Sequence, residues 1–253
     1  MKRKLHSTIL IISFLVILSL PCLVHATVLG TAEITQSGFY ANSTISVWGS
    51  SLSAEPVNAG IHRLYKSGST GEGDIWSDGY LGAVCIELSE PYSNYPFNYD
   101  VIMPSEGPLP VTTLGSAMGT EKAKYLQELW GRYYDPGWAT GTTFTTKENN
   151  LASIFAAAVW EIVYEDFSGN PLDWDVTSDG SWGSEGFMAI GLDSAIANEW
   201  LHSLDGTGPM ADLRVLSLDG YQDFLVAVPE PTTIVLLGLG SALGLMRRKK
   251  KVC

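Results

Sequence analysis

The sequence predicts an α+β fold, in which a β-rich sandwich or barrel-like body carries two or three inserted helices. Residues 27–110 are rich in β-branched and aromatic residues divided by Gly, Ser, Asn and Pro, which is typical of strands and turns. Near Thr120 the apolar spacing changes from two residues to about 3.6, which indicates helices. We therefore expect one folded domain over residues 27–226, between two segments of different character at residues 1–26 and 227–253.

Strands are predicted most clearly where short apolar runs lie between turn residues, at residues 45–48, 81–88, 213–218 and 222–226. The chain shows no internal repeat of the length found in solenoid proteins. The mature region therefore reads as one mixed domain.

Three helices are predicted between these strands. The first covers about residues 121–133, with Thr120 as its N-cap. The second covers about residues 147–164 and begins with Thr145 and Glu148 at the spacing of a capping box. The third covers about residues 192–204.

The N-terminus has the charge pattern of a secretory signal. Three cations at residues 2–4 precede an apolar run at residues 9–20, and small residues lead to Ala26, after which we expect signal peptidase to cut. An uncleaved anchor helix is the alternative, although the run is shorter than the ~20 residues of a spanning helix. Lipidation at Cys22 is disfavoured because Leu20 and Pro21 precede it, where small residues are needed.

The C-terminus combines three elements in order. An extended, proline-flanked motif comes first, because Pro229 and Pro231 prevent helix formation around Glu230. An apolar run over residues 234–246 follows, short for a ~30 Å hydrocarbon core. A basic cluster then keeps that end in the cytoplasm: Arg247, Arg248, Lys249, Lys250 and Lys251.

This arrangement, with VPEPTT at residues 228–233, resembles the PEP-CTERM sorting domain. The resemblance implies processing by an exosortase, transient anchoring in the inner membrane, and delivery to the cell envelope or outside the cell. It also implies an association with exopolysaccharide or other envelope components. An ordinary tail anchor is the alternative.

The charge of the exported part limits its partners. Residues 27–229 hold seven Lys and Arg against 26 Asp and Glu, a formal charge of −19. Such a surface repels phosphate backbones, so nucleic acid is not an expected partner. Cys85 is the one cysteine between the processed ends, so an intramolecular disulfide is not expected.

A second resemblance covers most of the mature region. The segments VCIEL around Cys85, FAAAVWEIVYED, ANEWL and QDFLV are similar to the thioester-type domain of surface proteins. The resemblance implies that a Gln near an AIW-like motif would supply an acyl group to the Cys thiol. Ala156 stands at that Gln position, and a methyl group cannot be an acyl donor, so we expect no thioester.

Cys85 therefore has three open interpretations. It is a small buried apolar residue, a redox or crosslinking thiol, or the partner of another glutamine. Outside the motif, the candidate glutamines are Gln36, Gln127 and Gln222.

Other candidate sites are weaker. Asp173, Asp175 and Asp179 lie in a turn-rich loop that could hold calcium through oxygen ligands, although the spacing is not that of an EF-hand. Neighbouring carboxylates at residues 87 and 90 or 165 and 166 could serve a hydrolase, but such pairs arise by chance in an acidic chain. His62 and His202 are far apart among ordinary surface and helix residues, so no zinc pattern appears. No cofactor is expected.

Tryptophans provide the remaining candidates for ligand contact. Trp160 and Trp200 are expected in the core, whereas Trp174 and Trp182, among Gly and Ser, are candidates for stacking on sugar rings or for anchoring a loop. Two functions remain: a non-catalytic structural or adhesive envelope protein, or a secreted glycan-acting hydrolase or carbohydrate-binding protein.

Overall fold

The computed structural model describes residues 26–49, 52–108, 117–165, 168–178 and 186–229. The predicted leader, Glu230 and everything beyond it, Trp182 and Asp179 lie outside these residues, so the predictions made for them stay predictions. Within the described ranges, no helix is long and apolar enough to cross a membrane.

The body is a sheet of seven strands, and all of its pairings are antiparallel. The strands are β1 (Gly30–Gly49), β2 (Leu52–Gly71), β3 (Gly79–Cys85), β4 (Phe97–Ile102), β5 (Met188–Ile190), β6 (Leu213–Leu218) and β7 (Tyr221–Ala227). The pairing order β1-β2-β3-β7-β6-β4 returns to β1, so six strands form a closed ring. β5 adds to the far half of β1, where Val47 pairs with Ala189.

The first two strands form a hairpin of 20 residues on each side. Its register shifts at four places, two of them between Gln36 and Asn42. Such irregularities bend a strand and increase its twist. The bends let β1 pair with β4 near its start and with β5 near its end.

Alternating residues of the strands supply two apolar cores. One core is formed by Ile34, Leu64, Tyr99, Phe224 and neighbours. The larger core lies between the sheet and the helices. Residues of β6 and β7 contribute to both cores, so these two strands are buried over most of their length.

The three helices are α1 (Gly119–Tyr133), α2 (Thr146–Tyr164) and α3 (Ser194–His202). All three predicted helices are present, and their ends differ from the prediction by at most two residues. The predicted N-cap at Thr120 is wrong: Met118 occupies that position, because Gly119 turns the chain with a φ of 78° and Thr120 already lies inside the helix. The cap of α3 is Asp193, whose side chain accepts a hydrogen bond from the Ile196 N–H.

Helix α2 is the central element of the larger core. The capping box predicted from Thr145 and Glu148 is confirmed, with the Glu148 N–H bonded to Thr145 Oγ1 at 3.2 Å and the Thr145 N–H bonded to Glu148 Oε2 at 2.7 Å. From Ala152 to Tyr164 every residue is buried. A helix that is apolar on all sides must be covered on all sides, and α2 contacts β1, β2, α1 and α3.

A buried carboxylate fixes the loop after α3. Glu128 on α1 is fully buried and accepts hydrogen bonds from the N–H groups of Asp205, Gly206 and Gly208. Arg132, one turn later, lies 2.7 Å from the same carboxylate. The charge of Glu128 is therefore both paired and hydrogen-bonded, the condition under which a buried charge is tolerated.

Candidate functional site

Cys85 is the last residue of β3 and is 2% exposed. Its thiol donates to the Glu87 carbonyl oxygen at 2.9 Å and accepts from the Glu87 N–H at 3.3 Å. Burial strongly raises the pKa of the Cys85 thiol, against a smaller opposing effect of the backbone hydrogen bond. A protonated thiol is a poor nucleophile, so this environment favours the interpretation of Cys85 as a buried apolar residue.

Helix α2 contacts the end of β3 directly beside this thiol. The indole N–H of Trp160 donates to the Cys85 carbonyl oxygen at 2.7 Å. Ala156 lies four residues earlier on the same side of α2 and is fully buried. The position implied for an acyl donor is thus in the core, one helical turn before the residue that contacts the Cys85 carbonyl oxygen, and it holds only a methyl group.

A cleft of about 220 Å³ lies beside Cys85. Its apolar wall includes Phe39, Leu88 and Trp160, and its polar lining includes His62, Cys85 and Gln222. Of the glutamines considered as acyl donors, Gln222 lines this cleft. Gln36 is hydrogen-bonded to His62, which lines the cleft, and Gln127 lies on α1.

His62 is 4% exposed, so its predicted place among surface residues is wrong. Its Nδ1 lies 2.7 Å from Gln36 Nε2, and because an amide nitrogen can only donate, Nδ1 is the acceptor. Burial lowers the pKa of His62 to about 3, so the ring is neutral at physiological pH. Sequence reasoning missed this pair because register irregularities near Phe39 obscure the alternation of β1.

Two buried amide oxygens have no protein partner, and one of them belongs to a residue of the cleft. Gln36 Oε1 and Gln222 Oε1 are both buried without a hydrogen bond, and Gln222 lines the cleft. Buried acceptors without a partner are costly unless water or a ligand donates to them. The cleft thus offers an acceptor and aromatic surface, the combination that suits a neutral ligand carrying hydroxyl or amide donors.

An acidic cluster lies behind the cleft. Glu87 is 1% exposed, and burial, followed by the charges of Asp223 and Glu90, raises its pKa to about 9. Burial also raises the pKa of Glu90 and of Tyr99. Glu87 therefore keeps its proton at neutral pH, and neither it nor Glu90 lines the described cleft.

The other carboxylate pair considered for hydrolysis includes Asp166, which lies outside the described residues. Glu165 accepts a hydrogen bond from the Phe187 N–H at 2.6 Å. It therefore holds the chain after α2 in place.

Two of the aspartates considered for calcium, Asp173 and Asp175, are described, and both accept hydrogen bonds from neighbouring protein groups. Asp175 Oδ1 accepts from the Thr177 N–H and from Asn198 Nδ2. Burial opposes these bonds, but together they lower the pKa of Asp175. Asp173 accepts from Ser168 and from Asn170, and among the described residues no group of three His, Cys, Asp or Glu is placed to hold a metal.

Of the two tryptophans considered for sugar stacking, Trp174 is described and lies inside the domain. Trp174 is 2% exposed and packs edge-to-face against Tyr125 at 5.4 Å, so it anchors a loop. Trp160 is buried as predicted, and Trp200 is partly buried against Tyr133, with ring centroids 4.8 Å apart.

The two ends of the domain leave the ring at the same edge, which we call the base. At the start, the Thr27 N–H donates to Glu106 Oε1 at 3.1 Å, and the Glu72 N–H donates to the Leu29 carbonyl oxygen. At the C-terminal end of the domain, Trp76 Nε1 donates to the Ala227 carbonyl oxygen at 2.8 Å. Trp76 follows the short 3-10 helix that begins at Glu72, so the two ends are held by one segment.

The segment that follows β7 was compared with known protein families. Residues 227–251 match the PEP-CTERM protein-sorting motif. No curated protein and no solved structure is detectably similar to the chain. The motif covers only the C-terminal tenth of the sequence, and the chain that carries it is thereby an exported protein, transiently anchored in a membrane and processed by an exosortase.

Proposed function

We propose that the chain is a cell-envelope or extracellular-matrix protein whose folded domain has a non-catalytic structural or adhesive role after exosortase releases it. The observation that carries the proposal is the junction between fold and motif. Strand β7 ends at Ala227, and Pro229, the first residue of the Pro-Glu-Pro motif, is already exposed. The sorting enzyme can therefore reach its motif without unfolding the domain.

The chemistry of the cleft supports a passive role. Cys85 is a buried thiol and His62 is a neutral ring bonded to an amide. A nucleophile needs a base within hydrogen-bond reach or a lowered pKa. Burial instead raises the pKa of the Cys85 thiol and lowers that of the His62 ring, so the thiol keeps its proton and the imidazole is a weak base.

Intact mass of the protein recovered from the envelope tests the processing. We expect cuts after Ala26 and near Pro229–Pro231, so the delivered protein should lack the basic cluster. Glu230→Ala should leave uncleaved precursor in the membrane, whereas Glu55→Ala, at an exposed glutamate of β2, should not. Recovery of an extracellular form that still carries residues 247–251 would contradict the proposal.

A second candidate function, binding of a carbohydrate, is favoured by the aromatic cleft and the unpartnered amide oxygen of Gln222 that lines it. A sugar hydroxyl would donate to Gln222 Oε1, and the ring would contact Phe39 or Trp160. Oligosaccharides prepared from the host's own exopolysaccharide should then change the tryptophan fluorescence of the purified domain at saturable concentrations. The change should be absent in Gln222→Leu, and equal titrations of both proteins would exclude the cleft.

A further inference from the structure

We propose that Glu106 is the acceptor for the amino group that signal cleavage creates at Thr27, so that removal of the leader adds an ion pair to the folded domain. The inference rests on the proposed cut after Ala26. It concerns what the cut does to the protein that remains.

The acceptor is already in place. Glu106 Oε1 accepts a hydrogen bond from the Thr27 nitrogen at 3.1 Å. The other oxygen, Oε2, is buried without a hydrogen-bond partner. None of the ion pairs among the described residues involves Glu106, so no basic side chain of this part of the chain is paired with it.

Both sides of the contact are held by the backbone. Glu106 ends the short 3-10 helix Pro104–Glu106, whose Glu106 N–H donates to the Met103 carbonyl oxygen at 3.0 Å. On the other side, the Leu29 N–H donates to the Val101 carbonyl oxygen at 2.8 Å, two residues after Thr27. Backbone hydrogen bonds therefore hold the chain close to each of the two groups that make the contact.

Hydrolysis changes what this nitrogen can offer. Water adds its hydroxyl to the Ala26 carbonyl carbon and a proton to the Thr27 nitrogen as the peptide bond breaks. The free amine takes up a further proton at neutral pH. One neutral N–H thus becomes an ammonium with three donors, which can keep Oε1 and also serve Oε2. Hydrogen bonds between charged partners are shorter and about twice as strong as neutral ones.

The test compares two forms of the exported domain, each with and without Glu106→Gln. One form begins at Thr27, and the other extends back to Leu23, so that the Thr27 nitrogen is a peptide N–H. Glu106→Gln should lower the folding equilibrium constant of the form beginning at Thr27 about two- to fivefold more than that of the extended form, the range of a partly exposed ion pair. This excess should shrink at high salt.

The reactivity of the N-terminal amine gives a second readout that a purely structural effect would not move. Only the unprotonated amine reacts with an acylating reagent, so at neutral pH the Thr27 amine should react several-fold more slowly in the wild type than in Glu106→Gln. Glu55→Gln, an exposed glutamate, should leave the rate unchanged.

Two failures are distinguishable. If the exported protein does not begin at Thr27 by mass, the proposed cleavage is wrong and the inference falls with it. If it does begin at Thr27, but Glu106→Gln affects both forms equally and the amine reacts at the same rate, only the ion pair is refuted.

Discussion

Replacing Glu87 with glutamine should change how the stability of the domain depends on pH. The pKa of Glu87 is raised from its ordinary value of 4.5 to about 9, mainly by burial. Between these values the folded protein holds a proton that the unfolded chain has released, so stability falls as pH rises. One such group contributes a slope of about 1.4 kcal/mol per pH unit, or roughly 3 kcal/mol between pH 5.5 and 7.5.

Glutamine has nearly the same shape as protonated glutamate and cannot ionise. Urea unfolding at pH 5.5, 6.5 and 7.5 should therefore show a steep fall in the free energy of unfolding for the wild type and a flatter one for Glu87→Gln. The matched control, Glu55→Gln, changes an exposed glutamate and should keep the wild-type slope. Parallel pH profiles for the wild type and Glu87→Gln would refute the claim that Glu87 is protonated in the fold.

Three further predictions concern elements described above. Thr145→Ala should remove the capping box of α2 and cost about 1 kcal/mol by the denaturant midpoint, whereas Thr146→Ala, next to it and exposed, should be nearly neutral. Glu128→Gln should cost about 3 kcal/mol by the same measurement, because it breaks a buried ion pair, while Glu121→Gln on the exposed side of α1 should cost little. Cys85 should react with a maleimide only after unfolding, and the purified domain should show neither a mass deficit of ~17 Da nor any addition of methylamine; a deficit restored by methylamine would show that another glutamine has become an acyl donor.

Local signals predicted much of the fold. The capping box at Thr145, the apolar spacing of α1 and α2, and the strand Leu213–Leu218 depend on neighbouring residues, and each lies where the sequence placed it or within two residues. The predicted α+β class is confirmed by a sheet with three helices.

Features that depend on distant residues could not be predicted. The closure of the ring needs β1 to pair with both β2 and β4, and the register shifts along β1 have no clear sequence signature. His62 and Glu87 look like surface residues in the sequence, since only the packing of β1, β2 and β7 around them reveals their burial. The contact between Thr27 and Glu106 joins residues 79 positions apart.

The shared base bears on how the domain is oriented while it is attached to the membrane. Gly30 and Ala227 lie on strands separated by β4 and β6, within about three strand spacings or roughly 15 Å. Residues 26–29 and 227–229, to which the predicted leader and the sorting segment are joined, therefore lie on one side of the domain. The cleft lies at His62 on β2, nine residues from Gly71 at the base, and at Gln222 on β7, five residues from Ala227. With the base toward the bilayer, the cleft would lie on the part of the domain farther from the membrane, where we expect a matrix component to approach.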